Sequence, residues 1–296
     1  MKRRLARLAW LAPLGALSGC SWDVLDPQGA IGVANLSVLA WATGLMLIVV
    51  VPVIALTLFF AWRYRSGNLA ADYAPEWSHS GKIEAVVWTI PALIVAALAV
   101  IAWKTTHELD PYRPIASAAQ PVEVDVVSLD WKWLFIYPQY GVASVNELAM
   151  PAGRPVRFKL TSASVMNSFF VPALGSQVYT MAGMQTQLHL IADRPGSYQG
   201  ISANFSGDGF ADMRFQAVAM DEQGFAAWVK RAKASSTTLD RATYLKLQMP
   251  SERVPVTTYG KVDPGLFQAI LMQKVGPTRE QQTIVPNDAA HTPHEG

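Results

Sequence analysis

Cysteine is almost absent from this 296-residue chain: there is one, Cys20. A single thiol excludes an intramolecular disulfide framework, an iron–sulfur cluster and any metal site needing two thiolates from this chain. Charge is scarce as well. Asp, Glu, Lys and Arg make up 16% of the residues, against roughly 25% in ordinary soluble domains. The formal net charge is only +2, so there is no bulk positive field to drive nucleic-acid binding, and no such partner is expected. Histidine is limited to five residues. What is abundant instead is apolar: 51% of the chain, with ten Trp.

The first residues read as an address label. Lys2, Arg3, Arg4 and Arg7 form a positive stretch, and Leu8 to Leu17 is an apolar run too short to cross ~30 Å of hydrocarbon. It ends Leu17-Ser18-Gly19-Cys20, which resembles a bacterial lipoprotein signal. The expectation is therefore a signal peptide over 1–19, with Cys20 lipidated as the new N-terminus. The bland alternative is an incidental cysteine. Removing the label leaves 20 bases against 22 acids, so the slight basicity belongs to the precursor.

Two runs without charge follow, Leu36–Trp62 and Ala85–Trp103, of 27 and 19 residues. At ~1.5 Å per helical residue both can span a bilayer, and Trp41, Trp62, Trp88 and Trp103 lie where interfacial aromatic belts form. Arg63, Arg65 and Lys82 sit in the segment between them, whereas 20–35 has no Lys or Arg. Positive-inside orientation then puts a short loop in the cytoplasm and both mature termini in the periplasm. Residues 20–110 are expected to hold this hairpin.

After the Pro-containing linker at 110–114 the period changes to two. Val122, Val124 and Val126 alternate with Glu123 and Asp125, and further strands are predicted at 154–161, 185–192, 196–202 and 213–220. Turn signals punctuate them, so 121–220 is expected to form a Greek-key β-sandwich. Residues 224–234 have a helical period with Phe225 and Trp228 on one face. A helical extension over 222–275 and a disordered tail over 276–296 complete the expected layout.

Several motifs occur in an order that resembles subunit II of the haem–copper terminal oxidases. They are Trp88-Thr89-Ile90-Pro91 at the second span, Asp130-Trp131-Lys132-Trp133 near the start of the sandwich, and Arg194-Pro195-Gly196-Ser197-Tyr198 running on to Met213. The resemblance implies a cupredoxin-like sandwich on an α-helical membrane hairpin. It also implies where copper ligands would stand: histidines at Asn167 and Phe210, cysteines at Ser202 and Ser206, a glutamate at Asn204 and a methionine at Met213. Only the methionine is present. Soft copper needs thiolate and imidazole, and Phe210 cannot coordinate at all, so no metal is expected here.

Without that relay no cytochrome c partner is expected. The chain then resembles the quinol-oxidising branch, of the cytochrome bo type, whose subunit II is a lipoprotein with two spans and an empty sandwich. Trp77-Ser78-His79-Ser80 and Val165-Met166-Asn167-Ser168-Phe169-Phe170 point the same way. That resemblance implies a chain without a cofactor or a catalytic residue of its own. Haem and copper would sit in a larger subunit I, ubiquinol would be the substrate of the complex, and smaller subunits III and IV would accompany it in the bacterial inner membrane. Neither uncharged run contains a histidine for haem.

Glu84 reads either as an interfacial acid solvated by headgroup water or as a proton entrance, the role the resemblance implies. Trp131 and Trp133 are expected on one face of a strand as packing. His189 reads as a satisfied strand histidine, and Met181, Met184 and Met213 as filling rather than a copper site. A membrane-anchored periplasmic binding lipoprotein with the same sandwich is the competing reading.

Overall fold

The computed structural model describes residues 23–68, 70–72 and 74–275. Cys20, the signal segment and the tail from 276 lie outside them.

Two helices open the structure, α1 over Ala30–Arg63 and α2 over Gly81–Glu108. Both are longer than the uncharged runs. Lys82, Glu84, Lys104 and Glu108 are helical too, because backbone bonding continues past the point where the apolar surface ends. Their apolar central windows are unburied by protein, as expected of surfaces meant for lipid or a partner. Pro52 and Pro91 lie inside the two helices.

The start of α1 is fastened to the outer domain. Gln28 N donates to Ala173 O at 2.7 Å, Gly32 N to Leu174 O at 3.1 Å, and Asp193 N to Gln28 O at 2.8 Å. Glycine is needed at 29 because an added Cβ would stand 2.2 Å from Ile191 O.

Ten strands follow: β1 Val122–Leu129, β2 Lys132–Tyr137, β3 Val142–Val145, β4 Glu147–Pro151, β5 Val156–Ser162, β6 Asn167–Phe170, β7 Val178–Thr180, β8 Thr186–Leu190, β9 Gly196–Ser202 and β10 Arg214–Met220. After these come α3 Glu222–Lys233, β11 Thr238–Leu239, α4 Arg241–Gln248, β12 Thr257–Tyr259, β13 Lys261–Val262 and α5 Leu266–Leu271. One sheet runs β12-β3-β2-β1-β5-β8 and the other β4-β10-β9-β6-β7. The pairs β1–β5 and β4–β10 are parallel, and the rest of these two sheets is antiparallel. The result is a cupredoxin-like sandwich.

Its main core lies between the sheets, where Trp133, Phe135, Phe158, Phe169 and Phe215 meet. The Phe169 and Phe215 rings stack at 5.1 Å, and Trp133 meets Phe169 edge-on at 5.4 Å. A second core lies on the outer face of the six-stranded sheet, where the extension packs Tyr244, Phe267 and Ile270 over Val127, Leu129, Leu134 and Ile136. The extension is less purely helical than expected: its β12 joins the six-stranded sheet beside β3.

This two-sided burial distinguishes β2 from β1. All six of its residues are buried, so it shows no polar alternation. The same cover buries Asp125, a polar member of the β1 alternation; it is 7% exposed, beneath the extension. The turn between β1 and β2 corrects another expectation. Trp131 is not a strand residue but occupies the left-handed region at φ 66°.

Candidate functional site

The six positions assigned to copper ligands gather at one end of the sandwich. Asn167, at the start of β6, is buried; its amide Nδ2 donates to Val165 O at 3.2 Å. The Ser202 hydroxyl, at the end of β9, reaches Asn167 Oδ1 at 3.2 Å and Asn204 O at 3.3 Å. The Asn204 amide donates in turn to Met166 O at 3.1 Å. Ser202 N donates to Met213 O at 3.2 Å, which ties this group to the far side of the loop. There the Ser206 hydroxyl points at Met213 Sδ, 3.9 Å away, and Met213 itself is buried.

Phe210 lies in a 3-10 turn over Asp208–Asp212, its ring edge-on to that of Phe205 at 5.5 Å. Trp131 covers the loop from the β1–β2 turn. Its Nε1–H donates to Ser206 O at 3.0 Å, and an added Cβ on Gly209 would come 2.5 Å from the indole. Gly207 has φ 107°, a conformation that suits glycine.

Chemically this cradle offers hydroxyls, amides and a phenyl ring around one thioether. Hard, neutral oxygen donors do not hold a soft copper pair, and most of them are already used on one another. The residues therefore do not fit the dinuclear copper that the resemblance would place here. Among the described residues no group of three or more His, Cys, Asp or Glu is arranged for a metal ion.

The neighbouring Asp130 and Lys132 do more than flank the tryptophans. Lys132 is 1% exposed, and its ammonium donates to Asp130 O at 3.1 Å, Met249 O at 2.8 Å and Ser251 Oγ at 2.6 Å. Burial lowers its pKa, with Asp130 acting in the opposite sense. The side chain pins the segment after α4 to the β1–β2 turn. Nothing in the sequence pattern announced this, because a lysine between two tryptophans reads as the solvent side of a strand.

On the outer face of the six-stranded sheet, Glu123 takes both nearby cations, Arg157 Nη1 at 3.4 Å and Lys159 Nζ at 3.3 Å. Asp125 is left with an Oδ1 that has no hydrogen bond. Burial raises its pKa to about 6, against the pull of Lys159. It borders a cavity of about 470 Å³ whose other wall is the extension around Pro264–Phe267.

At the membrane end, Glu84 stands in the first turn of α2, and its Oε1 lies 2.6 Å from His79 Nδ1. His189 is buried with Nδ1 3.0 Å from Pro111 O, a satisfied histidine. Met184 is exposed whereas Met213 is buried, so the two occupy different surroundings.

The family description "Cytochrome C oxidase subunit II, periplasmic domain" matches residues 139–219, and "COX Aromatic Rich Motif" matches 233–278. The cytochrome bo(3) ubiquinol oxidase subunit 2 of Pseudomonas aeruginosa is 52% identical over 293 residues, covering 98% of this chain and 87% of that one. This chain belongs to the ubiquinol oxidase subunit 2 family. The ubiquinol oxidase subunit 2 of Acetobacter aceti is 53% identical over 270 residues, covering 90% of this chain and 88% of that one. Among solved structures, the periplasmic domain of subunit II of cytochrome oxidase (CoxB) of Bradyrhizobium japonicum aligns with 40% of this chain and 97% of its own, at 23% identity and a TM-score of 0.37. Membership of the ubiquinol oxidase subunit 2 family, across both the membrane and the outer parts, decides against the free-standing binding lipoprotein.

Proposed function

We propose that this chain is the subunit without redox cofactors of an oxygen-reducing, proton-translocating ubiquinol oxidase. The observation that carries it is the loop in which Asn167, Ser202, Ser206 and Phe210 stand where thiolates and imidazoles would be needed, in a chain 52% identical to a ubiquinol oxidase subunit 2. A domain without that relay has no means of taking electrons from cytochrome c. Electrons then enter the complex from a membrane-soluble donor, ubiquinol, at a site outside this sandwich.

The chain's own contribution is mechanical and protonic. Two helices anchor it, and the hydrogen bonds from Gln28 and Gly32 to the 173–174 loop set the outer domain against the first of them. The sandwich caps the periplasmic side, and the loop carrying Arg63, Arg65 and Lys82 faces the cytoplasm. There Glu84 holds a proton at its carboxyl for entry into the complex. Haem and copper belong to subunit I, with subunits III and IV beside it, and Cys20 carries lipid on the outer face.

Purification of the complex from membranes in mild detergent, with a mass spectrum and an optical spectrum, tests this. The expected result is co-purification with a haem-bearing multi-span subunit and a mature chain beginning at an acylated Cys20. A colourless chain purified alone, or one still beginning at Met1, would refute the corresponding part.

A further inference from the structure

We propose that the cavity between the six-stranded sheet and the extension binds a small organic cation, an aliphatic ammonium held at the Asp125 carboxyl. The observation is a buried carboxylate on the cavity wall with no hydrogen-bonded partner. Asp125 is 7% exposed, its Oδ1 has no hydrogen bond, and among the described residues it forms no ion pair. Lys159 stands beside it in the β1–β5 register, yet the ammonium is turned to Glu123 Oε2 at 3.3 Å. Burying a carboxylate in this way is unfavourable, and buried charges are as a rule paired. A ligand that brings the missing charge offsets that cost, and folding has already stripped the carboxyl of most of its water.

The cavity has the size and lining such a ligand needs. Its volume is about 470 Å³, within the roughly 300–1,000 Å³ of small-molecule sites. Ile136, Val262, Pro264 and Phe267 give it a hydrocarbon wall for an aliphatic body. Three charged side chains border it: Asp125, Lys159 and Asp263. With Lys159 engaged by Glu123, the two aspartates set the sign of the site, and a cation is favoured over an anion. Tyr137 borders it too, but its hydroxyl is turned to the main core, donating to Ala149 O at 3.0 Å. A metal ion fits less well. Among the described residues no group of three or more His, Cys, Asp or Glu is arranged for one, and a hydrated ion gains nothing from hydrocarbon. A diamine carries one charge for each aspartate and methylenes for the apolar wall.

Ionisation of Asp125 governs the affinity. Burial raises its pKa to about 6, with Lys159 pulling it down and Glu123 pushing it up. Alkylamines titrate at about 10, as lysine does, so the ligand stays charged while the carboxyl changes state. The carboxylate is the form that binds, and affinity therefore rises with pH through about 6. The other charged groups on the surrounding elements are engaged elsewhere or lie open to water. On β5 Arg157 pairs with Glu123 at 3.4 Å, and on β8 His189 Nδ1 lies 3.0 Å from Pro111 O. From β2, Lys132 donates to Met249 O and Ser251 Oγ, and in β13 Lys261 is exposed.

The test is equilibrium dialysis of putrescine, the four-carbon diamine, against the purified complex shown by mass and haem content to contain every subunit. The expected result is a single saturable site at pH 8. At pH 5 its dissociation constant should be about tenfold higher, since a carboxyl titrating at about 6 is ionised there in about one copy in eleven. Asp125→Asn, which keeps the shape of the side chain, is expected to bind about tenfold or more weakly at pH 8 and to lose that pH dependence. Butan-1-ol, which has the apolar body without the charge, should not displace the diamine. Binding that Asp125→Asn leaves intact belongs to anionic lipid headgroups and overturns the assignment, as does the lack of any saturable site in the parent. Displacement by magnesium at equal concentration would identify a metal site and overturn it as well. Should Asp125→Asn not assemble, the parent decides alone: a dissociation constant unchanged between pH 5 and pH 8 refutes a site built on this carboxyl.

Discussion

Replacing Asp125 with Asn should stabilise the outer domain at neutral pH and erase part of its pH dependence. Asp125 is 7% exposed, its Oδ1 has no hydrogen bond, and its pKa rises from 3.8 to about 6. Each pKa unit corresponds to about 1.4 kcal/mol, so the site accounts for about 2–3 kcal/mol. The folded carboxyl holds its proton longer than the unfolded one. Its contribution is therefore fully present below about pH 4, declines as pH rises, and is gone above about pH 6. At pH 8 the parent carries a buried charge that Lys159 relieves only in part, because Lys159 is also the partner of Glu123, whose own charge adds to the penalty.

Asn keeps the shape and cannot ionise, though its amide also lacks a partner, which costs about 1 kcal/mol. The net gain expected at pH 8 is about 1–2 kcal/mol, with parity or a small loss at pH 4. Thermal unfolding of the purified chain, followed by the near-ultraviolet signal of the buried Trp133, gives the comparison. The quantity that decides is the change in stability between pH 4 and pH 8. An Asn variant whose change equals that of the parent would show that Asp125 is paired or solvated, and the reasoning would fail.

Lys132→Met should loosen the extension rather than the sandwich, because it strips the charged donor from Met249 O, Ser251 Oγ and Asp130 O. A loss of about 1–2 kcal/mol and new protease cleavage near 249–256 are expected; cleavage confined to other loops would count against the latch. Restoring the ligand set by Asn167→His, Ser202→Cys, Asn204→Glu, Ser206→Cys and Phe210→His should give an intensely coloured, thiolate-ligated copper pair. Copper uptake without the visible bands of thiolate ligation would show that the six positions do not converge as their hydrogen bonds indicate.

The helices were legible because lipid demands length and the absence of charge, and both can be counted in Leu36–Trp62 and Ala85–Trp103. Their ends were not legible, since Lys82 and Glu84 extend α2 without altering any apolar pattern. In the sandwich, β1 was visible through its valines, which face the main core in alternation. The surroundings of their polar neighbours were not legible, for one reason. Alternation reports that the second face of a strand is polar, but not whether a later part of the chain will cover it. Here residues more than a hundred positions further on do so, and Asp125 pays for it while Lys132 is put to use as a latch.

The loop at 202–213 shows the same limit from the other side. The donor types there can be read from the sequence alone, and phenyl and hydroxyl groups are not soft ligands. What holds the loop in its place was not readable. Trp131 sits in a turn that no strand pattern predicts, and it reaches Ser206 across 75 positions of sequence. With Asn167 bonded to Ser202, Ser202 to Met213 and the indole laid over Gly209, the two sides of the loop are joined by ordinary hydrogen bonds and packing. A metal is then not required to close it.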